Sequence, residues 1–162
     1  MAKITFGDVN KYIDKLYELY ENADSMVEEA VNIGAGVMAD GVRASLSDIP
    51  IDDRVYIPEG EQRRGLRTIQ WNGLYHSMGV SPIRNDGGFI NRKIGFDGYN
   101  NVETDRWPSG QPNAMVARSV ESGTYFMKKT PFMSKAIRAT KAQTEAAMQT
   151  FVDSRIFADF NK

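Results

Sequence analysis

The sequence contains no cysteine and only one histidine among its 162 residues. The lack of cysteine excludes disulfides, thiolate catalysis and every metal site built on cysteine, and it fits a reducing cytoplasm. The formal net charge is −1, so the chain as a whole makes no electrostatic case for holding nucleic acid or an anionic membrane. No apolar run approaches the roughly 20 residues of a membrane helix, and the N-terminal residues lack the apolar core of a signal peptide. We therefore expect no membrane partner.

The composition is that of an ordinary globular domain, with 41% hydrophobic and 25% charged residues. We predict a single α+β domain over residues 1–162, in which a long N-terminal helical region and a long C-terminal helix pack on a small antiparallel β-sheet. The predicted segments are a helical region 8–46, a loop 47–65, a β region 66–97, a loop 98–113, a short helix 114–123 and a C-terminal helix 130–157.

Apolar residues at three- and four-residue steps predict an amphipathic helix from Asp8 to Asn22. Ser25, followed three residues later by Glu28, has the pattern of a capping box and predicts a second helix from about Met26 to about Ser45.

Three glycines lie inside this second helix, Gly34, Gly36 and Gly41. Each costs up to about 1 kcal/mol relative to alanine, and a helix tolerates glycine most readily where a neighbour comes close. The alternative is a helix that frays after Gly36.

The middle of the chain predicts a long exposed loop followed by a hairpin. We expect a short strand from Arg54 to Ile57 within the loop. Two-residue alternation from Leu74 to Val80, which includes His76, predicts a strand, and the stretch "NDGG" supplies a tight turn. Phe89 to Phe96 would return as the second strand, giving a hairpin over about 73–96.

The C-terminal third predicts a short helix that ends at Gly123 in a left-handed conformation. Thr130 has the hydroxyl of a helix cap, and Pro131 suits the first helical position because its missing N–H costs nothing there. The final helix would run to about Phe157.

No group of residues predicts catalysis, a cofactor or a bound metal. His76 has no orienting acid or nucleophile near it in sequence, so we interpret it as structural. Asp52 and Asp53 lack the spacing of a calcium loop, and we interpret them as solvated loop acids. We expect no enzyme.

Two features leave alternatives open. Arg63, Arg64 and Arg67 form a basic spot that would suit a phosphate backbone, although nearby glutamates favour a solvated loop. Trp107 lies in a polar loop and is either a contact anchor or a ring that folds back onto its own core.

Three short motifs give the chain a resemblance. They are "NGLYHS" entering the β region, "ARSVESGT", and "TPFMSKA" at the start of the last helix. In their order and spacing they resemble the neck and tail-completion proteins of long-tailed bacteriophages, also described as minor tail or head–tail joining components. Asn72 stands where that family has threonine, and the loop from Asp48 to Gly65 has no counterpart. The residues that match are Gly73, Leu74 and Ser77, then Ala117, Val120, Glu121, Gly123 and Thr124, then Pro131, Phe132, Met133 and Ala136. The candidate subunit-interface or motif residues are Gly73, Leu74, Trp107, Glu121, Gly123, Thr124, Pro131, Phe132 and Met133.

The resemblance implies a structural virion protein without catalysis. Such proteins form rings between the head connector and the tail tube, they complete the tail or join it to the filled head, and DNA passes through the lumen. The implied partners are further copies of the chain in a ring such as a hexamer, the head-connector proteins, and the tail-terminator or tail-tube proteins. The implied location is the virion, after assembly in the host cytoplasm, and a monomer before assembly is the alternative to a preformed ring.

A ring requires two different contact surfaces on each subunit. The hairpin edges and the loops with Tyr99 and Trp107 are the surfaces that the residues themselves suggest. We expect Phe132 to anchor the start of the last helix, either as core or in a subunit contact. The competing functions are a component of a phage-derived contractile particle, and a DNA-packaging accessory that binds nucleic acid through Arg63, Arg64 and Arg67.

Overall fold

The computed structural model describes residues 6–160, with side chains from residue 10 onward. This part of the chain is α+β, as predicted, with long helices near both ends and a small antiparallel β region between them. The helices are α1 (Phe6–Glu21), α2 (Ala23–Ser45), α3 (Thr68–Ser77), α4 (Asn113–Ser122) and α5 (Phe132–Phe160), with a short 3₁₀ turn at Leu46–Asp48. The strands are β1 (Met78–Val80), β2 (Arg84–Asp86), β3 (Phe89–Asn91) and β4 (Ile94–Phe96).

The two longest helices, α2 and α5, lie against each other in antiparallel directions, and glycines make this possible. A Cβ atom on Gly34 would lie 2.5 Å from the Met148 sulfur, and one on Gly41 would lie 2.3 Å from Cγ2 of Thr140. The predicted close neighbour is thus confirmed at both positions. Gly36 has nothing within 4 Å, and α2 continues to Ser45 instead of fraying there.

The junction between α1 and α2 lies at Asn22, so the predicted capping box at Ser25 is wrong. The Asn22 N–H donates to the Glu18 carbonyl at 3.1 Å, and the Met26 N–H donates to the Asn22 carbonyl at 3.0 Å. Helical hydrogen bonds therefore run across the junction. Ser25 and Glu28 lie inside α2, where Ser25 has no free first-turn N–H groups to satisfy.

One hydrophobic cluster joins α2, α3, β1, α4 and α5. Burial of these side chains is the main favourable term that holds the helices on the β region. The largest fully buried side chains in the cluster are Phe132, Leu46, Leu66, Leu74, Val42 and Val120.

The predicted strand from Leu74 is wrong in its first half, because residues 68–77 form α3. Gln70 and Leu74 are both buried and stand four residues apart, which is the spacing of one helix face. The Trp71 indole N–H donates to the Leu46 carbonyl at 2.9 Å and ties α3 to the end of α2. Burial of this helix face prevailed over the alternation of residue types that predicted a strand.

The hairpin itself is confirmed around the Gly87–Gly88 turn, but it is interrupted. β2 pairs with β3 next to the turn, and β1 pairs with β4 farther along the same ribbon. Between the two ladders, the three residues 81–83 face the two residues 92–93. Pro82 has no N–H with which to continue the ladder, and the extra residue makes a bulge.

The segment from Arg54 to Ile57 is not a strand, so that prediction is also wrong. Val55 is 99% exposed, and among residues 6–160 no strand pairs with this stretch. The loop is held instead by isolated bridges at its ends, Ile51 with Leu66 and Arg63 with Met127.

Candidate functional site

The motif residues of the C-terminal third meet where α4 turns into α5, and we call residues 121–134 the α4–α5 corner. The Glu121 carboxylate accepts hydrogen bonds from the backbone N–H groups of Met133 (2.9 Å) and Ser134 (3.0 Å), and from the Ser134 hydroxyl. It satisfies free donors of the first turn of α5 and places negative charge at the positive end of the helix dipole. The predicted cap by the Thr130 hydroxyl is wrong, because Glu121 holds that position from the preceding helix.

Gly123 ends α4 with a φ of 74° and a ψ of 164°. The predicted positive φ is confirmed, but the backbone is extended and not left-handed helical. A Cβ atom here would also lie 3.0 Å from Lys129 Cβ, so both the conformation and the space favour glycine. Thr124 follows and exchanges backbone hydrogen bonds with Met127, which closes a tight turn.

Phe132 is 1% exposed and is the largest fully buried side chain in the described chain. Its ring lies 6.0 Å from that of Phe96 in an edge-to-face arrangement. Phe132 is therefore core and not a subunit contact. Met133 is half-buried against the same cluster, while Pro131 precedes α5 and is exposed.

The loop before α3 folds around Asp52, which is buried. Its carboxylate accepts from Nε and one terminal nitrogen of Arg54, both at 2.8 Å, and from the Arg64 N–H at 2.9 Å. The hydrogen bonds from the Arg54 side chain, followed by the one from the Arg64 backbone, hold the pKa of Asp52 well below its usual range. Asp52 organises the loop, so its interpretation as a solvated acid is wrong.

Asp53 has a second structural role at the start of α3. Its carboxylate accepts from the Thr68 hydroxyl at 2.5 Å and from the Thr68 N–H at 2.8 Å. The hydroxyl bond is the first cause of a lowered pKa for Asp53, and the N–H bond adds to it. The two carboxylates are thus each occupied by the fold. Among residues 10–160 no group of three or more histidine or acidic side chains could hold a metal ion.

Hydrogen bonds from the backbone and from one side chain join the Asp52 loop to the α4–α5 corner. The Gln62 amide donates to the Thr124 carbonyl at 2.8 Å. The Arg63 N–H donates to the Phe126 carbonyl at 2.8 Å, and the Lys128 N–H donates to the Arg63 carbonyl at 2.9 Å. We call residues 55–64 and 124–128, joined in this way, the two-loop tip.

The two-loop tip exposes large apolar side chains that lie outside the hydrophobic cluster. Tyr125 is 93% exposed, and three further large apolar residues of the tip are also exposed. A groove of about 560 Å³ opens next to Tyr125. It is lined by Gly60, Glu61, Gln62, Arg64, Tyr125 and Lys128. The other exposed apolar residues of the tip are Val55, Tyr56 and Phe126.

Gly73 and Leu74, the earlier motif residues, lie in α3 and are not brought to the corner. A Cβ atom on Gly73 would lie 2.7 Å from the Asn100 Cβ and 2.8 Å from the Asn113 side-chain oxygen. Both asparagines are buried, and Asn113 also donates to the Asp97 carbonyl at 2.9 Å. Gly73 therefore lets the loop after β4 pack on α3, while Leu74 belongs to the hydrophobic cluster.

Trp107 lies apart from the other predicted site residues, in a turn of its own. Its backbone exchanges hydrogen bonds with Thr104 at 2.8 and 3.1 Å. Its ring is half-buried beneath the Arg106 guanidinium, whose central carbon is 5.7 Å from the ring centre. The ring folds against its own loop and lies outside the hydrophobic cluster.

His76 is exposed near the end of α3 and not on a strand. One ring nitrogen, Nδ1, lies 2.8 Å from the Asn72 carbonyl one turn earlier. The ring also meets Tyr75 edge-on at 5.5 Å. These contacts are local to the helix, and the imidazole lines a surface pocket together with Ser77 and Asp97.

The second exposed apolar surface is on α1, and we call residues 10–21 the arm. The arm contacts α5 at Phe160, among other residues: the Tyr12 ring lies 5.8 Å from the Phe160 ring, and the Lys15 amine donates to the Phe160 carbonyl at 2.7 Å. Tyr20 is 80% exposed. A shallow apolar groove runs along the arm and is lined by Ile13, Leu16, Tyr17 and Tyr20.

Reasoning from the sequence did not predict that the two-loop tip and the arm would both expose apolar side chains. The apolar stripe of α1 was predicted, but it was expected to face the core. At the tip, two aromatic residues directly after "SGT" in a tight turn were a usable sign, because a two-residue turn tip has no interior into which both rings can fold.

Comparisons of the chain with family models, with curated proteins and with solved structures found no match. None of the helices in residues 6–160 is long and apolar enough to cross a membrane.

Proposed function

We propose that this chain is a structural subunit of a bacteriophage neck, and that it forms a ring that completes the tail or joins it to the head connector. DNA passes through the lumen of this ring, and the subunit performs no catalysis. The proposal rests on the motif resemblance and on one structural observation, the presence of two exposed apolar surfaces at the two ends of α5.

The corner residues support a role in architecture. Glu121 caps α5, Gly123 turns the chain and Phe132 fills the core. Each of these motif residues fixes the direction in which α5 leaves the rest of the fold. A ring subunit needs such rigidity, because a small error in angle is repeated at every contact around the ring.

The exposed surfaces supply what a ring needs in addition. Exposed apolar patches on a globular protein mark contact sites. The two-loop tip lies next to the first turn of α5, and the arm contacts the last residue of α5. Two different patches on one subunit allow the head-to-tail contacts from which rings are built.

The test is to delete the gene in the phage or prophage that carries it and to examine the particles by electron microscopy. We expect DNA-filled heads and separate, unjoined tails, and loss of infectivity that a plasmid copy restores. Mass spectrometry of purified wild-type particles should detect the chain. Its absence from the particles, or normal particles after deletion, would overturn the neck role; particles that contain it but have no head would assign it to a contractile device.

A second candidate function is nucleic-acid binding in DNA packaging, and two exposed arginines, Arg64 and Arg67, favour it. Arg64 and Arg67 are exposed, whereas the Arg63 side chain donates to the Asp52 carbonyl at 2.9 Å. A DNA titration at several salt concentrations tests this candidate. Affinity that falls steeply with salt, and that Arg64→Ala with Arg67→Ala abolishes, would favour packaging over the neck role.

A further inference from the structure

The arm and the first turns of α2 carry an excess of negative charge. Residues 10–29 contain six acidic side chains and two lysines. The acidic residues have no ion pair in the described chain. Asp14, Glu18 and Glu21 lie on the arm, together with both lysines, whereas Asp24, Glu28 and Glu29 lie in the first turns of α2.

The opposite end of the molecule carries an excess of positive charge. Residues 123–141 contain five basic side chains and no acidic one, and residues 54–67 add four arginines against two glutamates. Several of these cations are already paired within the fold, such as Arg54 with Asp52 and Lys135 with Asp48. Arg64 and Lys128 have no such partner in the described residues, and both line the groove of the two-loop tip.

The two charged ends are too far apart to meet within one molecule. α5 has 29 residues, and at 1.5 Å per residue it spans about 43 Å. The two-loop tip is joined to the residues directly before α5, and the arm contacts Phe160 at its end. A contact between the two surfaces therefore requires two molecules.

We propose that the acidic, aromatic arm of one subunit docks on the basic groove of the two-loop tip of the next subunit. This inference rests on the proposed ring and names the two surfaces that close it. Both surfaces combine exposed aromatic residues with a small net charge, and the two net charges are opposite in sign. The arm has three carboxylates against two lysines, and the groove has Arg64 and Lys128 against Glu61. Opposite charges of this kind steer encounter and set the register, while the buried rings supply affinity.

A second copy of the chain fits the groove better than a nucleic acid does. The groove includes Glu61, which repels phosphate, and the exposed ring of Tyr125, which would have no partner on a DNA backbone. The arm offers tyrosine rings and carboxylates together. The contact is between unlike surfaces, so it can continue from subunit to subunit until a ring closes.

Cysteine crosslinking tests the proposal directly, because the natural chain has no cysteine. Asn10→Cys places a thiol beside the apolar stripe of the arm, and Glu59→Cys places one beside the groove. With a short bismaleimide, the double variant should give a ladder of dimers, trimers and larger species that stops at the ring size. Each single variant should remain monomeric.

The matched control replaces the arm thiol by one on the exposed middle of α5, Gln149→Cys, in combination with Glu59→Cys. This pair should give no ladder. A ladder from the control pair, dimers from Asn10→Cys alone, or no ladder from the arm and groove pair would each overturn the docking.

Charge reversal adds a second readout in the same crosslinking background. Glu18→Lys with Glu21→Lys, or Arg64→Glu with Lys128→Glu, should each lower the crosslinked fraction about tenfold or more, because like charges then face each other. Mixing the two reversed proteins should restore crosslinking, since each then meets an opposite charge. Failure of the mixture to recover would overturn the proposal.

The docking and the neck role can fail separately. A ladder from a protein that is absent from virions would keep the head-to-tail contact and remove the neck function. A protein present at the neck whose arm and groove thiols never crosslink would keep the function and remove the docking.

Discussion

The α4–α5 corner and the arm use similar residue types for opposite purposes. At the corner an acidic side chain and a phenylalanine, Glu121 and Phe132, are taken up by the fold as a helix cap and as core. On the arm, tyrosines and glutamates remain exposed, although Tyr12 packs against Phe160 of α5. The motif residues therefore specify a rigid joint, whereas the exposed tyrosines and glutamates lie on a helix that the joint does not require.

The largest loss of stability is expected from a substitution at Phe132. Phe132→Ala should lower the free energy of unfolding by about 3–5 kcal/mol, because it removes a fully buried ring and leaves a cavity. Urea denaturation at one protein concentration measures the loss. The control is Phe126→Ala, the same change at an exposed position six residues earlier, which should stay within about 0.5 kcal/mol. Equal effects at the two positions would contradict the packing of the corner.

Glu121 offers the next largest effect. Glu121→Ala should cost about 1–3 kcal/mol, since the first turn of α5 loses its acceptor and the charge that complements the helix dipole. Glu121→Gln keeps an acceptor oxygen and should lose less. The same substitution at Glu145, which is exposed in the middle of α5, is the control. Amide hydrogen exchange should show faster exchange at Met133 and Ser134 in the Glu121 variants, and unchanged rates there would argue against the cap.

The glycines of α2 give a matched pair with opposite signs. Gly41→Ala brings a Cβ atom to within 2.3 Å of the stiff Thr140 side chain, so α2 and α5 must separate and stability should fall by about 1–3 kcal/mol. Gly36→Ala meets nothing within 4 Å and should raise stability by up to about 1 kcal/mol through helix propensity. Thermal unfolding of the two variants would show shifts in opposite directions, and shifts in the same direction would contradict the helix pairing.

Asp52 makes a smaller contribution to the free energy of unfolding, and this contribution depends on pH. Its folded pKa is depressed, so the stabilisation is fully present above the ordinary value of 3.8 and is lost as the pH falls below it. The difference in unfolding free energy between the wild type and Asp52→Asn should therefore be constant near neutral pH and shrink below about pH 4. Urea titrations at several pH values measure it. A difference that does not change with pH would mean that the carboxylate charge is not what holds the loop.

Local sequence patterns predicted much of the helical frame of this fold. The three- and four-residue spacing of apolar residues in α1 and the Gly87–Gly88 turn depend on neighbours that are close in sequence. The glycines that face α5 depend on a single packed helix face. The same reasoning assigned a strand to Leu74 and His76, because alternation along a short segment resembles a strand until the buried partners are known. The burial of Gln70 and Leu74 on one helix face depends on contacts with distant segments.

The candidate site was less accessible to sequence reasoning, for the same physical reason. Thr130 was a good local cap, but a carboxylate from the preceding helix occupies the position that its hydroxyl would take. Asp52 has the composition of a solvated acid, and only the folded loop brings the Arg54 side chain and the Arg64 N–H to it. The apolar stripe of α1 stays exposed because of where the neighbouring helix α5 ends. The sequence of α1 contains no information about the end of α5.

The smallest effect on stability is expected on the arm, where the effect on assembly should be large. Tyr17→Ala removes an exposed ring, so the free energy of unfolding should change by no more than about 0.5 kcal/mol. Its effect on ring formation should be large, because aromatic residues carry much of the energy of protein contacts. Sedimentation of the variant together with Tyr99→Ala, an exposed tyrosine outside both surfaces, separates the alternatives. Loss of assembly in Tyr17→Ala alone supports the arm as the contact; loss in Tyr99→Ala alone would move the seam to the loop after β4, and a destabilised Tyr17→Ala would mean that the arm belongs to the fold after all.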